Sequence, residues 1–229
     1  MKKNVSAVVA ASGVGSRTGL NIPKQFYEIE GVPILAYTLR TLCSIKQINE
    51  IIVAVPENYL LYTSDFVKKL DFSKPIKIVS GCETRQKTVL KCLSEVEKSA
   101  DFVLIHDGAR PFADKDDILN CIADAQKYGA AALGSKSADT LKMSDADGFI
   151  SETVDRSKVY RIFTPQIFKK DLIVAAHKKA LEKGIFATDD CALAENEGVR
   201  VKITECMKNN LKITTIDDIL YAEAVLKWE

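Results

Sequence analysis

The chain has 229 residues, of which 47% are hydrophobic and 28% are charged. This composition is typical of a soluble globular protein with a full core. Its 32 Lys and Arg against 31 Asp and Glu give a net charge of +1, which excludes a broad basic surface for nucleic acid and an acidic tail. No apolar run approaches the roughly 18 residues that span a bilayer, so we expect no membrane segment.

The cysteines and histidines argue against two kinds of stabilising site. Six cysteines are scattered without a CxxC pair, and there are two histidines. Cysteines used in this way are typical of reduced core residues in a cytoplasmic protein, not of a disulfide framework or a zinc site. Two histidines also argue against a histidine-based metal site.

Short apolar runs alternate with helical patterns in the first half of the chain. The runs are nearly continuous, as expected of strands that are covered on both faces. This alternation predicts an α/β fold with a mostly parallel sheet and helices on both faces. The predicted strands are Val5–Ala10, Glu50–Val55, Ile76–Val79 and Phe102–Ile105, and the predicted helices are Ile34–Leu42, Ser64–Leu70 and Thr84–Lys98.

The second half is less regular. Ser137–Tyr160 is polar and carries the turn signal DADG, which predicts a β-hairpin. Such a hairpin has little core of its own, so we expect it to pack against a second subunit. No repeat or linker is visible, and we predict one domain over residues 1–229. The other predicted elements are helices Asp116–Tyr128, Lys169–Lys183 and Thr215–Trp228 and a strand, Ala130–Gly134.

A glycine-rich stretch, ASGVGSRTG, starts at residue 11, directly after the first predicted strand. Gly13 and Gly15 allow a tight turn that brings backbone N–H groups close to an anion. Arg17 and, in the following IPKQ segment, Lys24 add positive charge, so the stretch predicts a triphosphate cradle; a plain tight turn is the alternative. It is not a P-loop, and Gly19 comes one position too late for the dinucleotide fingerprint.

A second polar stretch, IHDGARP, begins at the end of a predicted strand, where parallel sheets bind ligands. Asp107 is a candidate for Mg²⁺ or a substrate hydroxyl, and Arg110 for a phosphate. The alternative is that Asp107 caps the next turn and pairs with Arg110. We interpret His106 as a packed residue at the strand end.

Two further positions are candidates for phosphate or nucleotide contact. Gly81 and Thr88 flank a predicted junction between a strand and a helix, where free N–H groups can meet a nucleotide. Lys212 lies in the apolar run LKIT, where it either reaches a ligand or simply extends to solvent.

Nine stretches, in this order and at this spacing, resemble the 2-C-methyl-D-erythritol 4-phosphate cytidylyltransferase family from about Ser6 to about Ala222. The stretches are ASGVGSR, IPKQF, GCETRQKTV, HDGARP, ADTLK, TVDR, FTPQIF, TDDCA and NNLKIT. The resemblance implies a Rossmann-like nucleotidyltransferase sheet with a protruding β-arm at about 137–160 that builds a homodimer. It also implies transfer of CMP from CTP to methylerythritol phosphate with Mg²⁺, a step of the non-mevalonate isoprenoid pathway.

The resemblance further implies roles for residues at matching positions. The catalytic set is Arg17, Lys24, Arg156 and Lys212. Of these, Arg156 would act together with Thr140, and both would bind the phosphate of the substrate that lies in the site of the neighbouring subunit. The other substrate contacts are Asp107, Arg110 and Thr164, and Asp107 is also the candidate metal ligand. The implied nucleotide contacts are Ala11, Ser12, Gly13, Gly15, Gly81 and Thr88.

Three alternatives stay open at this point. A ribitol 5-phosphate cytidylyltransferase is similar in fold and motifs, although TVDR in the arm favours the methylerythritol enzymes. A Rossmann oxidoreductase is disfavoured by the late third glycine, because its fingerprint needs GxGxxG, and by the lack of a Tyr followed four residues later by Lys. A non-catalytic binding protein is disfavoured by the presence of Arg17, Lys24, Arg156 and Lys212 together.

Overall fold

A computed structural model describes residues 3–13, 15 and 18–226. The strands are β1 Val5–Ala10, β2 Glu28–Ile29, β3 Val32–Pro33, β4 Ile48–Val55, β5 Ile76–Ser80, β6 Phe102–Asp107, β7 Ala130–Lys136, β8 Lys142–Ser144, β9 Ile150–Thr153, β10 Tyr160–Lys169 and β11 Lys202–Glu205. The helices are α1 Ile34–Cys43, α2 Leu60–Lys69, α3 Arg85–Ser94, α4 Lys115–Tyr128, α5 Lys170–Lys183, α6 Asp190–Asn196 and α7 Ile216–Leu226.

Seven of the strands form one central sheet in the order β11-β7-β10-β6-β1-β4-β5. Strand β1 pairs in parallel with β4 on one side and with β6 on the other. Strand β10 runs antiparallel to both of its neighbours, β6 and β7. The sheet is therefore mostly parallel, as the sequence predicted.

Both faces of the sheet are covered, and this explains the near-continuous apolar runs. In β1, Val5, Ala7 and Val9 belong to a buried cluster that includes residues of α1, α2 and α4. Val8 belongs to a second cluster, with residues of α3, α5 and α6. Successive side chains of a strand point to opposite faces, so the residues of such a strand are apolar on both faces. Ser6 is the exception in β1, and its hydroxyl is satisfied by donating to the buried carboxylate of Glu50 at 2.7 Å.

The predicted elements are confirmed in place, with shifted ends for several of them. Helix α3 ends at Ser94, four residues before the predicted end, and α7 is described only to Leu226, so the predicted end at Trp228 lies outside the described residues. Strands β2, β3, β10 and β11 and helix α6 were not predicted. Strand β10 contains Pro165, but the pairing of β10 with β7 shifts register between Ile162 and Gln166, so this proline lies where the ladder is interrupted.

The predicted hairpin is present as the two-stranded antiparallel pair of β8 and β9. Its turn is held by Asp145, whose carboxylate accepts from the N–H groups of Asp147 and Phe149 at 3.1 and 2.8 Å. The side chains of Met143, Phe149 and Ile150 are 55%, 72% and 67% exposed. The hairpin thus carries apolar side chains that the described part of this chain does not bury.

In the described ranges, no helix combines the length and the apolar character that crossing a bilayer requires.

Candidate active site

A cavity of about 560 Å³ lies at the carboxyl ends of β1 and β6, which are neighbours in the sheet with Ala10 opposite Asp107. The chain leaves β1 for β4 on one side and reaches β6 on the other, so this is a topological switch point, where α/β sheets bind ligands. The volume suits a small-molecule ligand. The predicted site residues that line the cavity are Ala11, Ser12, Gly13, Gly15, Lys24, Asp107 and Lys212.

The glycine-rich loop is fixed against the segment that carries Lys24. Gly15 has a φ of +72°, and a Cβ atom there would lie 3.1 Å from the backbone nitrogen of Lys24. Both the backbone conformation and the close approach therefore favour glycine at this position. Buried Gln25 donates its amide to the carbonyl oxygens of Ala11 and Gly13 at 2.6 and 2.9 Å. These contacts hold Lys24 at the rim of the loop. Arg17, the other predicted cation of the loop, lies outside the described residues.

Three predicted nucleotide contacts meet where β5 leads into α3. A Cβ atom on Gly81 would lie 2.2 Å from Cβ of Ser12, so the backbone of Gly81 packs directly against the side chain of Ser12. The hydroxyl groups of Ser12 and Thr88 are 3.3 Å apart, and Thr88 Oγ1 accepts from the N–H of Cys82 at 2.9 Å. Thr88 is fully buried, so it supports the cavity wall from behind.

Asp107 is the centre of the charges at the cavity. Its Oδ1 pairs with Nε of Arg85 at 3.0 Å, and its Oδ2 pairs with Nζ of Lys212 at 2.8 Å and lies 3.7 Å from Nε of Arg110. Burial alone would raise the pKa of Asp107, but Arg85 and Lys212 outweigh it and hold that pKa well below its usual range. The carboxylate is therefore ionised throughout the neutral range and fixes the Lys212 ammonium at the cavity wall.

His106 is fully buried and packs beside Asp107, as the sequence predicted. Burial lowers the pKa of His106 to about 4, so its ring is neutral near pH 7. Its Nδ1 lies 3.0 Å from the hydroxyl of Thr164, which accepts from the N–H of Asp107 at 3.0 Å. His106 and Thr164 therefore orient the strand end that carries Asp107.

Arg110 holds the segment that carries Lys212. Its Nη1 donates to the carbonyl oxygen of Asn210 at 2.6 Å. The side-chain amide of Asn210 donates to the carbonyl oxygen of Thr164 at 2.8 Å, and the N–H of Ile213 donates to Ala109 at 2.9 Å. Three hydrogen bonds thus fasten residues 210–213 beside the end of β6. Arg110 is only 8% exposed, and the carbonyl oxygen of Asn210 is its structural partner.

The arm residues Thr140 and Arg156 are exposed and do not line the cavity. Nη1 of Arg156 donates to the carbonyl oxygen of Ala138 at 2.7 Å. This contact ties Arg156 to the segment between β7 and β8, two residues before Thr140. Neither residue is among those that line the cavity of this chain.

The described side chains around the cavity offer no ready site for a divalent cation. The described residues contain no group of three or more His, Cys, Asp or Glu side chains that could hold a metal ion. Both oxygens of Asp107 already face cations. A metal ligated by Asp107 would have to displace Lys212 or Arg85, so Asp107 does not fit the predicted role of a metal ligand in this arrangement.

Several residues that shape the site were given no side-chain role from the sequence, although Arg85 lies at the junction where Gly81 and Thr88 were expected to meet a nucleotide. Gln25 and Asn210 lie inside the quoted stretches IPKQF and NNLKIT, but only the structure shows that each is buried and holds a loop. Arg85 and Asp190 form an ion pair at 2.8 Å, and 105 residues separate them. A long-range pair of this kind has no local signal in the sequence.

Comparisons with known proteins agree with this arrangement. The family model for IspD, 2-C-methyl-D-erythritol 4-phosphate cytidylyltransferase, matches residues 5–228. A protein of that name from Clostridium acetobutylicum is 46% identical over 222 residues, which cover 96% of each chain. Another from Caldanaerobacter subterraneus is 43% identical over 225 residues, or 98% of this chain and 99% of the relative.

A solved structure is similar over the same range. The crystal structure of 4-diphosphocytidyl-2C-methyl-D-erythritol synthase from Anaerococcus prevotii superposes with a TM-score of 0.88 at 34% identity, and the match covers 99% of this chain and all of that one. The similarity extends over the sheet, the cavity and the hairpin alike. The chain belongs to the 2-C-methyl-D-erythritol 4-phosphate cytidylyltransferase family.

Proposed function

We propose that the protein transfers CMP from CTP to 2-C-methyl-D-erythritol 4-phosphate and releases pyrophosphate, in isoprenoid precursor synthesis. The observation that carries this proposal is the convergence of the glycine loop, Lys24 and Lys212 on one cavity at the switch point of the sheet. Membership of the family supplies the substrates, since the relatives carry that enzyme's name. The ribitol phosphate alternative has no such support.

The residue types suit an attack by one phosphate on another. A phosphate monoester has a second pKa of about 6, so the attacking oxygen is anionic near pH 7 and needs no general base. The obstacle is the repulsion between the two anions and the charge that develops on the leaving pyrophosphate. Lys24 and Lys212 at the cavity, together with Arg17, offset that charge by position and electrostatics.

The nucleotide occupies the loop side of the cavity in this proposal. Ala11, Ser12, Gly13 and Gly15 offer backbone groups at close range to the cytidine and the triphosphate, because they line the cavity. Gly81 and Thr88 support this wall through Ser12 and Cys82. The methylerythritol end lies towards Asp107, with Arg110 and Thr164 behind it.

The proposal includes Mg²⁺, which would bind together with the nucleotide. When bound, it would neutralise charge on the triphosphate. Since Asp107 faces cations through both oxygens, triphosphate oxygens and water are the ligands that the site leaves for the ion. This assignment agrees with the tendency of Mg²⁺ to keep waters and to bind substrate phosphates.

We place the protein in a reducing compartment such as the cytoplasm. All six cysteines are free, and four of them are buried. Burial raises the pKa of Cys92 and Cys121 to about 12, so these thiols stay protonated and unreactive. A set of buried free thiols is typical of proteins that work under reducing conditions.

Pyrophosphate release tests the proposed reaction directly. The protein is incubated with CTP and Mg²⁺, in parallel with methylerythritol 4-phosphate and with ribitol 5-phosphate. We expect release with the first acceptor and little with the second. Preferred release with ribitol 5-phosphate would move the protein to the alternative enzyme, and release with neither would contradict the proposed reaction.

The arm is proposed to act in a homodimer, with Arg156 completing the partner's site. Its exposed Met143, Phe149 and Ile150 supply apolar surface for contact between two copies. The position of Arg156 and Thr140 away from the cavity of their own chain supports a role in another copy.

Mixing two inactive variants tests the shared site. We expect Arg156→Ala and Lys24→Ala each to be nearly inactive alone. In a mixture, a mixed dimer has one site with both residues intact, so exchange of subunits should restore roughly a quarter of the wild-type sites. Pyrophosphate release from a refolded equal mixture measures this. A mixture no more active than its components would contradict a site shared through Arg156.

A further inference from the structure

A chain of charged side chains leads from the cavity into the layer of α5 and α6. Lys212 pairs with Asp107 at 2.8 Å, and Asp107 pairs with Arg85 at 3.0 Å. Nη1 of Arg85 continues the chain to Oδ2 of Asp190 at 2.8 Å, and Oδ1 of Asp190 lies 3.0 Å from Nε2 of His177. A side chain on α6 is thus linked to the Lys212 ammonium through two intermediate side chains.

Asp190 is rigidly held and does not belong to the cavity wall. It is 1% exposed and is not among the residues that line the cavity. Its backbone N–H and that of Cys191 both donate to the side-chain oxygen of Gln166 at 3.0 Å. Asp190 therefore offers a fixed carboxylate and cannot itself contact a substrate in the cavity.

The position of Asp190 decides how Arg85 shares its donors. Arg85 gives Nε to Asp107 and Nη1 to Asp190, one nitrogen to each carboxylate. A guanidinium with one carboxylate partner favours a bidentate pair through two parallel N–H groups. Without Asp190, Arg85 would turn both donors to Asp107 and compete with Lys212 for the same carboxylate.

We propose that Asp190 is a positioning residue for the reaction and acts through Arg85 and Asp107 to set the place of the Lys212 ammonium. The inference rests on the proposed function, because it takes Lys212 to act on the reacting phosphates. Asp190 restrains Arg85, Arg85 leaves one oxygen of Asp107 to Lys212, and Lys212 is held at the cavity wall.

The test compares Asp190→Asn in two backgrounds. A displaced ammonium is expected to lower kcat roughly tenfold to a hundredfold, with the KM for CTP little changed, because the cavity wall itself is intact. In a Lys212→Ala background, Asp190→Asn should leave kcat unaltered, since the group that Asp190 positions is gone. A merely structural role of Asp190 would give the same loss in both backgrounds.

A second variant and a control keep the outcome clear. Arg85→Lys retains one charge on a partly exposed side chain but lacks the fork that reaches both carboxylates, so it should reproduce the result if Asp190→Asn does not fold. Glu197 lies just after the last residue of α6, and its carboxylate pairs with Lys179 of α5. Glu197→Gln removes that carboxylate and should leave kcat unchanged.

Each result has one meaning. Wild-type protein without pyrophosphate release would overturn the proposed function, and this inference with it. Wild-type turnover with an unchanged kcat for Asp190→Asn, or with an equal loss in the Lys212→Ala background, would overturn the inference alone.

Discussion

Replacement of Lys24 by alanine is expected to lower kcat about a hundredfold to a thousandfold, the usual loss when one preorganised group that stabilises transition-state charge is removed. Lys24 lines the cavity beside the glycine loop, and Gly15 packs against its backbone. Its ammonium group is proposed to meet charge that develops on the triphosphate only during the reaction. The loss should therefore fall mainly on kcat, with a smaller change in the KM for CTP.

Two measurements separate this effect from unfolding. Lys46→Ala removes an exposed lysine from the turn before β4, at the edge of the sheet opposite the cavity, and it should keep wild-type kcat. The thermal unfolding midpoint of Lys24→Ala should stay close to that of the wild type. If Lys24→Ala turns over at the wild-type rate, Lys24 has no part in the mechanism.

The sheet could be predicted from the sequence because its strands are buried on both faces. Strand β1, Val5–Ala10, was predicted with its observed ends, because a short and nearly continuous apolar run is typical of a buried strand. Strand β10 escaped prediction because Thr164, Pro165 and Gln166 interrupt its apolar pattern. These residues lie where pairing with β7 shifts register, and this depends on contacts that the sequence does not display.

The cavity wall could be predicted in part for a similar reason. The glycine loop follows β1 directly, and Asp107 ends β6, so both lie at the carboxyl edge of a parallel sheet. The pair of Asp107 with Arg110 was one of the alternatives that the sequence left open, since the two residues lie three positions apart. The sequence could not show that Arg85 and Lys212 also surround Asp107, because these two side chains come from separate parts of the chain. That arrangement changes the interpretation of Asp107 from a metal ligand to a counter-ion.

Replacement of Asp107 by asparagine should lower the free energy of unfolding by about 3 kcal/mol at pH 7, near the lower end for breaking a buried ion pair. The change keeps the shape of the side chain and removes the negative charge that Arg85, Arg110 and Lys212 share. The lower end applies because the side chains of Arg85 and Lys212 are 30% and 38% exposed, so water compensates part of the loss.

The difference between the two proteins should depend on pH in one direction. The folded pKa of Asp107 lies below the unfolded value of about 3.9. The stabilisation is therefore complete above about pH 5 and is lost as the pH falls below about 4 towards the folded pKa. Urea denaturation at pH 7 and at successively lower pH values measures the difference, which should shrink on the acid side.

A second aspartate provides the control for this experiment. Asp147 lies exposed in the turn of the hairpin, so Asp147→Asn should change the free energy of unfolding by less than about 0.5 kcal/mol. A difference for Asp107→Asn that stays constant down to about pH 3 would mean that its carboxyl titrates alike in the folded and unfolded chains. In that case the surrounding cations do not stabilise the ionised form of Asp107, and Asp107 cannot fix Lys212 at the cavity wall.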